Sequence, residues 1–329
     1  MVKLKKTFLQ RIKIAAVVSV ILSIIPLILF IFNLHRYMHL FIIAGVYACI
    51  STALYVQGIG TGRNNFGPQF FVALGGFTAG LSNLYLYLSP AFTLLTALSS
   101  GLIFGLATSL LTIFVGGLYY SLVTIIIPYV FLQLTYIYSG IFGGEEGIKG
   151  ISPIVSTGRV IIDLTIYAYI IITFLLVYLF VMDRVLKSKY GLAFRAINEN
   201  ERVAMELGVN VNKYKVIIHI VTSAMMSLMG WFIAHYYKTF AGVEYLPLYI
   251  LLKFYLTIAL SGGLYGIIPA SFLVIFIEDF LRNIFGQLNY FIFPLVMLIL
   301  FLVLPTGLLG IISKQKVSEH LPIRFRRTD

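Results

Sequence analysis

Twelve acidic residues, five histidines and one cysteine are spread over 329 residues, so any catalytic constellation has few groups to draw on. His35 and His39 lie four apart and can share a helix face, but they flank Arg36 and have no carboxylate near them in sequence. Two imidazoles without further ligands make a poor metal site, and headgroup contact at a membrane boundary is the plainer reading. His219 and His235 bracket one apolar run, Asp163 stands near the start of another, and Glu278, Asp279 and Arg282 close a third. Nucleophile, base and acid are nowhere gathered, and no G-x-x-x-x-G-K-[ST] loop is present to cradle nucleotide phosphates. The sequence therefore predicts no catalytic residue, no metal site and no cofactor held by this chain. Cys49, inside an apolar run, reads as packing.

One long hydrophilic stretch, 183–215, separates apolar runs and contains GLAFRAINENERVAMELG from Gly191 to Gly208. Its charges are of both signs, so it is not a simple membrane-surface patch. Asn200 to Leu207 are mostly helix formers, with Val203, Ala204 and Leu207 expected on one face and Glu199, Arg202 and Glu206 on the others. Gly208 is placed to end that helix as a left-handed cap. A short helix with a small-residue face suits docking into a groove on another protein. A solvated connector with a chance helix is the alternative.

The elements around this stretch are apolar. Sixty per cent of residues are hydrophobic and 11% charged, and mean hydropathy is +0.98. A water-soluble domain carries about a quarter charged residues. Runs able to form helices lie at about 14–32, 40–56, 70–88, 92–115, 118–138, 160–182, 216–236, 248–260, 264–277 and 291–312. They predict an all-α, polytopic transmembrane bundle of about ten helices. The net charge of +12 gathers in three blocks. Lys3 to Lys13 precede the first run, Arg184 to Lys215 sit mid-chain, and Lys314 to Arg327 close the sequence. Under the positive-inside rule all three face the cytoplasm, with both termini inside, so the basic balance points to lipid rather than nucleic acid. An odd number of crossings must then follow Lys238 and Glu244, which splits the runs at Ser261-Gly262-Gly263.

Glycine and proline interrupt both halves: Gly58 to Gly62, Gly67-Pro68 and Gly75-Gly76 early, and Gly262, Gly263, Gly266 and Pro269 late. Paired breaks point to an internally repeated transporter with its path near the repeat interface, although for any single glycine the G-x-x-x-G spacings favour close helix packing. Gly75, Gly76, Thr78, Thr124, Gln133, Gly262 and Gly263 are the expected path residues. The outward loop around Glu145 and Glu146 is the expected contact for a delivering protein.

The 183–215 stretch resembles the coupling-helix loop of ABC importer permeases, in which a Glu, two small residues and a Gly four positions on dock against the ATPase; Glu201, Val203, Ala204 and Gly208 fill those slots. The wider run from Gly191 to Lys215 is similar to the branched-chain amino acid permease family. So are Gly75-Gly76-Phe77-Thr78-Ala79, the 117–124 and 143–148 segments, Ser261 to Gly266, and Leu304-Pro305-Thr306-Gly307-Leu308-Leu309-Gly310. These stretches occur in family order. The resemblance implies a permease occupying 1–329, with basic ends at 1–13 and 313–329 and a coupling loop at 183–215. It implies ATPase contact through Arg195, Glu199, Glu201, Arg202, Val203, Ala204 and Gly208. It further implies ATP and magnesium on separate ATPase chains, a second, non-identical permease subunit, an extracytoplasmic solute-binding protein, and branched-chain amino acids, amides, urea or small sugars as cargo. A secondary transporter or channel is the reading from another class, and would need ionisable groups deep in the bundle.

Overall fold

The computed structural model describes residues 20–304, 307 and 308. The basic ends at 1–13 and 313–329, the start of the first apolar run and most of the closing 304–310 segment lie outside these residues. Every other apolar run becomes helix, because a backbone in lipid must satisfy its own hydrogen bonds. In chain order these are α1 (Val20–Ile31), α2 (His35–Thr61), α3 (Pro68–Leu86), α4 (Pro90–Phe114), α5 (Gly117–Ile137) and the single turn α6 (Ser139–Phe142). Then come α7 (Val160–Lys187), α8 (Lys189–Glu199), α9 (Glu201–Glu206), α10 (Val211–Tyr237) and the turn α11 (Gly242–Tyr245). The last are α12 (Leu248–Ser261), α13 (Ile267–Phe285) and α14 (Asn289–Val303). A two-residue antiparallel ladder joins β1 (Ile148–Lys149) to β2 (Thr239–Phe240).

Among the described residues, seven helical stretches are long and apolar enough to cross a membrane: α2, α4, α5, α7, α10, the α11–α12 stretch, and Leu264–Val303, which contains α13 and α14. The chain is an all-α, multi-pass membrane protein. The shorter or more polar α1 and α3 complete the set expected from the apolar runs. Although α3 carries Gln69 and Asn83, both are buried by its neighbours.

The centre is α10, which packs most extensively on α4 and α3 and also on α2. Its antiparallel relation to α2 is fixed at both ends: Tyr236 meets His39 at 2.6 Å and His219 meets Gln57 at 2.6 Å. Thr93 at 2.7 Å from His235 and Thr108 at 2.9 Å from His219 set α4 antiparallel to α10 in the same way. The bundle thus has an α9 end and, opposite it, a ladder end.

Glycine brings these backbones together. A Cβ on Gly75 would stand 1.9 Å from the Ser227 carbonyl oxygen, and one on Gly230 would stand 1.9 Å from that of Val72. Gly101 and Gly105 play the same part between α4 and α10. Helices in lipid gain no hydrophobic drive from meeting one another, so close approach of small residues supplies the attraction. Two expected interruptions are present. Gly62 (φ 65°) caps α2 before Pro68 starts α3, and Gly262 (φ 68°) and Gly263 (φ 150°) break the chain between α12 and α13. The expected break at Gly75-Gly76 is absent: α3 runs through both, because they serve contact with α10 and Phe240 instead.

Gly230→Leu is expected to force α3 and α10 apart and destabilise the protein by about 4 kcal/mol or more, whereas Gly140→Ala, with open space around it, is expected to stay within about 0.5 kcal/mol. Thermal unfolding in detergent, followed for both variants, checks the contrast.

Candidate functional site

At the α9 end, the chain leaves α7, makes the amphipathic α8, and enters α9 through Asn200. The Asn200 side chain accepts from the amides of Arg202 (3.0 Å) and Val203 (3.3 Å), an N-cap that starts the helix where its first amides have no other partner. Gly208 ends it in the left-handed conformation (φ 83°), its amide donating to Met205 O and that of Val209 to Ala204 O. The cap expected from the sequence is therefore formed, and nothing stands within 4 Å of where a Gly208 side chain would be.

The faces differ from expectation. Ala204 is buried against Ile197 and Val211, while Val203, Met205 and Leu207 point outward, Leu207 being 76% exposed. Val203, Ala204 and Leu207 do not share one face: Val203 and Leu207, four positions apart, turn outward together, while Ala204, about 100° round from Val203, faces the bundle. Arg195, Glu199 and Arg202 are exposed.

Glu201 turns inward instead. Its carboxylate lies 2.6 Å from Lys215 Nζ at the base of α10 and 3.2 Å from an Arg63 nitrogen in the α2–α3 connection. Lys215 is fully buried and its ammonium makes no other hydrogen bond among the described residues. Arg63, whose side chain is also largely buried, donates further to the carbonyls of Thr112 and Val115 at the end of α4. One carboxylate thus holds α9 to α10 and to the α2–α3 connection, and Arg63 carries the tie on to the end of α4. Burial alone would raise the Glu201 pKa; the charges of Lys215 and Arg63 outweigh it and hold the carboxyl below the ordinary glutamate value.

At the ladder end, α2, α10, α12 and α13 enclose a cavity of about 690 Å³. Lys253 and Glu278 face each other in its wall, Nζ lying 3.0 and 3.1 Å from the two carboxylate oxygens. The ammonium is 5.0 Å from the rings of both Tyr47 and Tyr249, and Tyr249 Oη donates to the same carboxylate at 3.3 Å. Nearer the mouth, Asp279 pairs with Arg36 at 2.5 Å, and Glu244 and Arg282 add charge of both signs.

The expected path residues lie outside this cavity. Gly75 and Gly76 lie in the α3 packing seam, Thr78 bonds to Leu74 O and to Ser100, and Thr124 donates to Ser121 O and accepts from the Phe66 amide. Gln133 is on the outer surface of α5, and Gly262 and Gly263 sit at the foot of α12, with Gly262 against Gly307. None of the seven lines the cavity. Glu145 and Glu146 are exposed beside the ladder, Glu146 paired with Lys149 at 2.5 Å. Three histidines are spent on packing: His39 on Tyr236, His219 on Gln57 and Thr108, and His235 between Thr93 and Ser152 O; His35 is exposed. Asp163 accepts from the amide and hydroxyl of Thr157. Among the described residues no three His, Cys, Asp or Glu converge on a metal position.

Because the folded-state pKa of Glu201 is depressed, its contribution is full above pH 4.5, the ordinary value, and is lost as pH falls through the lower one. Amide exchange across α8 and α9 is expected to stay slow from pH 7 to that point. In Glu201→Gln it should already be about tenfold faster at pH 7, since Lys215 is left buried without its counter-charge.

Comparison with known proteins agrees with this architecture. No curated protein and no solved structure gave a significant match. The family model described as the permease component of branched-chain amino acid transport systems matches residues 36–303, from the first turn of α2 to the last of α14. The chain belongs to the branched-chain amino acid transport permease family.

Proposed function

We propose that this chain is the membrane subunit of an ATP-driven importer, with its α9 end in the cytoplasm and its cavity opening outward. The observation that carries the reading is the construction of α9. A short, doubly capped helix is fastened inward by one carboxylate, while it offers Val203, Met205 and Leu207 outward. Exposed apolar side chains on a fixed helix are what a groove on another protein binds. The occupant is a separate ATPase, which binds ATP and magnesium itself. Arg195, Glu199 and Arg202 border the patch and supply charge at its rim, whereas Glu201 sets the position of the helix without touching the partner.

Solute reaches the cavity from an extracytoplasmic binding protein that meets the ladder end, where Glu145 and Glu146 stand exposed. A second, non-identical permease subunit completes the path, and branched-chain amino acids are the cargo. Nucleotide-driven closure of the ATPase shifts α9 and biases the bundle between outward-open and inward-open packings. The buried Lys253–Glu278 pair favours a second reading, an ion-coupled transporter, which needs no ATPase.

Affinity purification of the tagged chain from its native membrane separates the two. The wild type is expected to bring down an ABC ATPase, and Val203→Asp with Leu207→Asp to lose it by about tenfold or more while keeping its membrane abundance. Recovery of no ATPase with the wild type moves the ion-coupled reading ahead. Separately, Glu145→Lys with Glu146→Lys is expected to cut uptake without changing ATPase recovery, and unchanged uptake would remove the ladder end as the delivery contact.

A further inference from the structure

We infer that Lys253 and Glu278 form a recognition pair for a zwitterion, Lys253 taking the α-carboxylate and Glu278 the α-ammonium of an amino acid that passes through the cavity. The inference rests on the reading of the chain as a permease whose solute enters there.

Three observations support it. First, both groups are nearly fully buried, yet they stand in the wall of an open cavity rather than in the packed core. A buried ion pair adds little to stability over apolar residues of the same volume, so stability alone does not account for two charges at this depth. Second, the surroundings fit both halves of such a ligand. Tyr47 and Tyr249 present ring faces to a cation, and Tyr249 Oη already holds one carboxylate oxygen. Leu40, Ile43, Ile50, Ile250 and Ile275 supply apolar wall for an aliphatic side chain. Third, the arrangement suits passage rather than storage. A zwitterion that inserts between the two replaces one internal ion pair by two of the same kind, and its departure restores the first. Site and ligand therefore exchange partners without leaving a charge unpaired, which keeps binding weak enough for release. A neutral amide or sugar offers no such exchange and leaves the pair closed.

The test is uptake of radiolabelled leucine by cells that carry the importer's other subunits and this chain as wild type, Lys253→Met, Glu278→Gln, or the double variant. Urea and ribose serve as uncharged probes. Each single variant leaves a buried charge unpaired and is expected to lose leucine uptake, as it also would if the pair were only structural. The double variant decides: neutralising both sides relieves the unpaired charge, so a structural role predicts recovered uptake. Recognition predicts that leucine uptake stays about tenfold or more below wild type, with membrane abundance and ATPase recovery unchanged. Double-variant uptake within about twofold of wild type overturns the inference, as does wild-type uptake of urea or ribose but not leucine. Failure of the wild type to recover an ATPase is a separate result, and counts against the importer reading instead.

Discussion

The structure depends on backbone meeting backbone along α10. Lipid tails are as apolar as leucine, so the burial that assembles a soluble core is largely missing, and helices are held by contact area and hydrogen bonds. Gly75 and Gly230 let α3 and α10 approach until the carbonyls of Ser227 and Val72 occupy the places of the missing side chains. Gly101 and Gly105 do the same for α4. Short polar bonds then lock the register, Ser227 Oγ donating to Ala97 O at 2.7 Å and Trp231 Nε1 to Pro90 O at 2.9 Å. With α3, α4 and α10 fixed as one block, α2 can seal its flank through His39 and Gln57, and the remaining helices can form the wall of a cavity rather than collapse into it.

Charge is used sparingly, and at the two ends for different ends. Around Glu201, two cations from separate elements share one carboxylate, and the other terminal guanidinium nitrogen, Nη1, donates to two helix-terminal carbonyls of α4. Those carbonyls have no partner within their own helix, so Arg63 also completes the end of α4. Around Lys253, one cation and one anion are matched and flanked by tyrosines. The first arrangement ties α9 to the bundle through two cations. The second is a single ion pair with tyrosines about it, beside open space.

Much of this architecture is legible from the residue string. Apolar runs give the helices, the charge blocks separate α7 from α10, and Ser261-Gly262-Gly263 marks a real break because no non-glycine residue readily takes both positive φ angles in succession. Gly208 gives α9 its closing cap, whereas Asn200, expected within the helix, stands before it as the N-cap. What was not legible is which use a glycine serves: Gly75-Gly76 fits an interruption or a packing seam until its partner helix is known. Arg63 and Lys215 sit far from Glu201 in sequence or on a different element, so spacing alone could not join them. Lys253 did carry a signal, a lone cation inside an apolar run, and such a residue is functional by default in a membrane helix. Its partner, 25 positions later, stands in the sequence as one of three charges that close an apolar run, and nothing in the spacing joins it to Lys253.

One feature of α10 joins the two ends mechanically. Its 27 residues form a single uninterrupted helix without proline, about 40 Å long at 1.5 Å per residue. Lys215 near its first turn is clamped by Glu201, and Ile233 and Tyr237 near its last belong to the cavity wall. Bonds near both ends of the helix to α4 and α2 leave it no freedom to pivot within that block. The Glu201 clamp and the cavity wall therefore sit at the two ends of one strut, and a push along its axis at either end is delivered to the other with no relay of side chains between them.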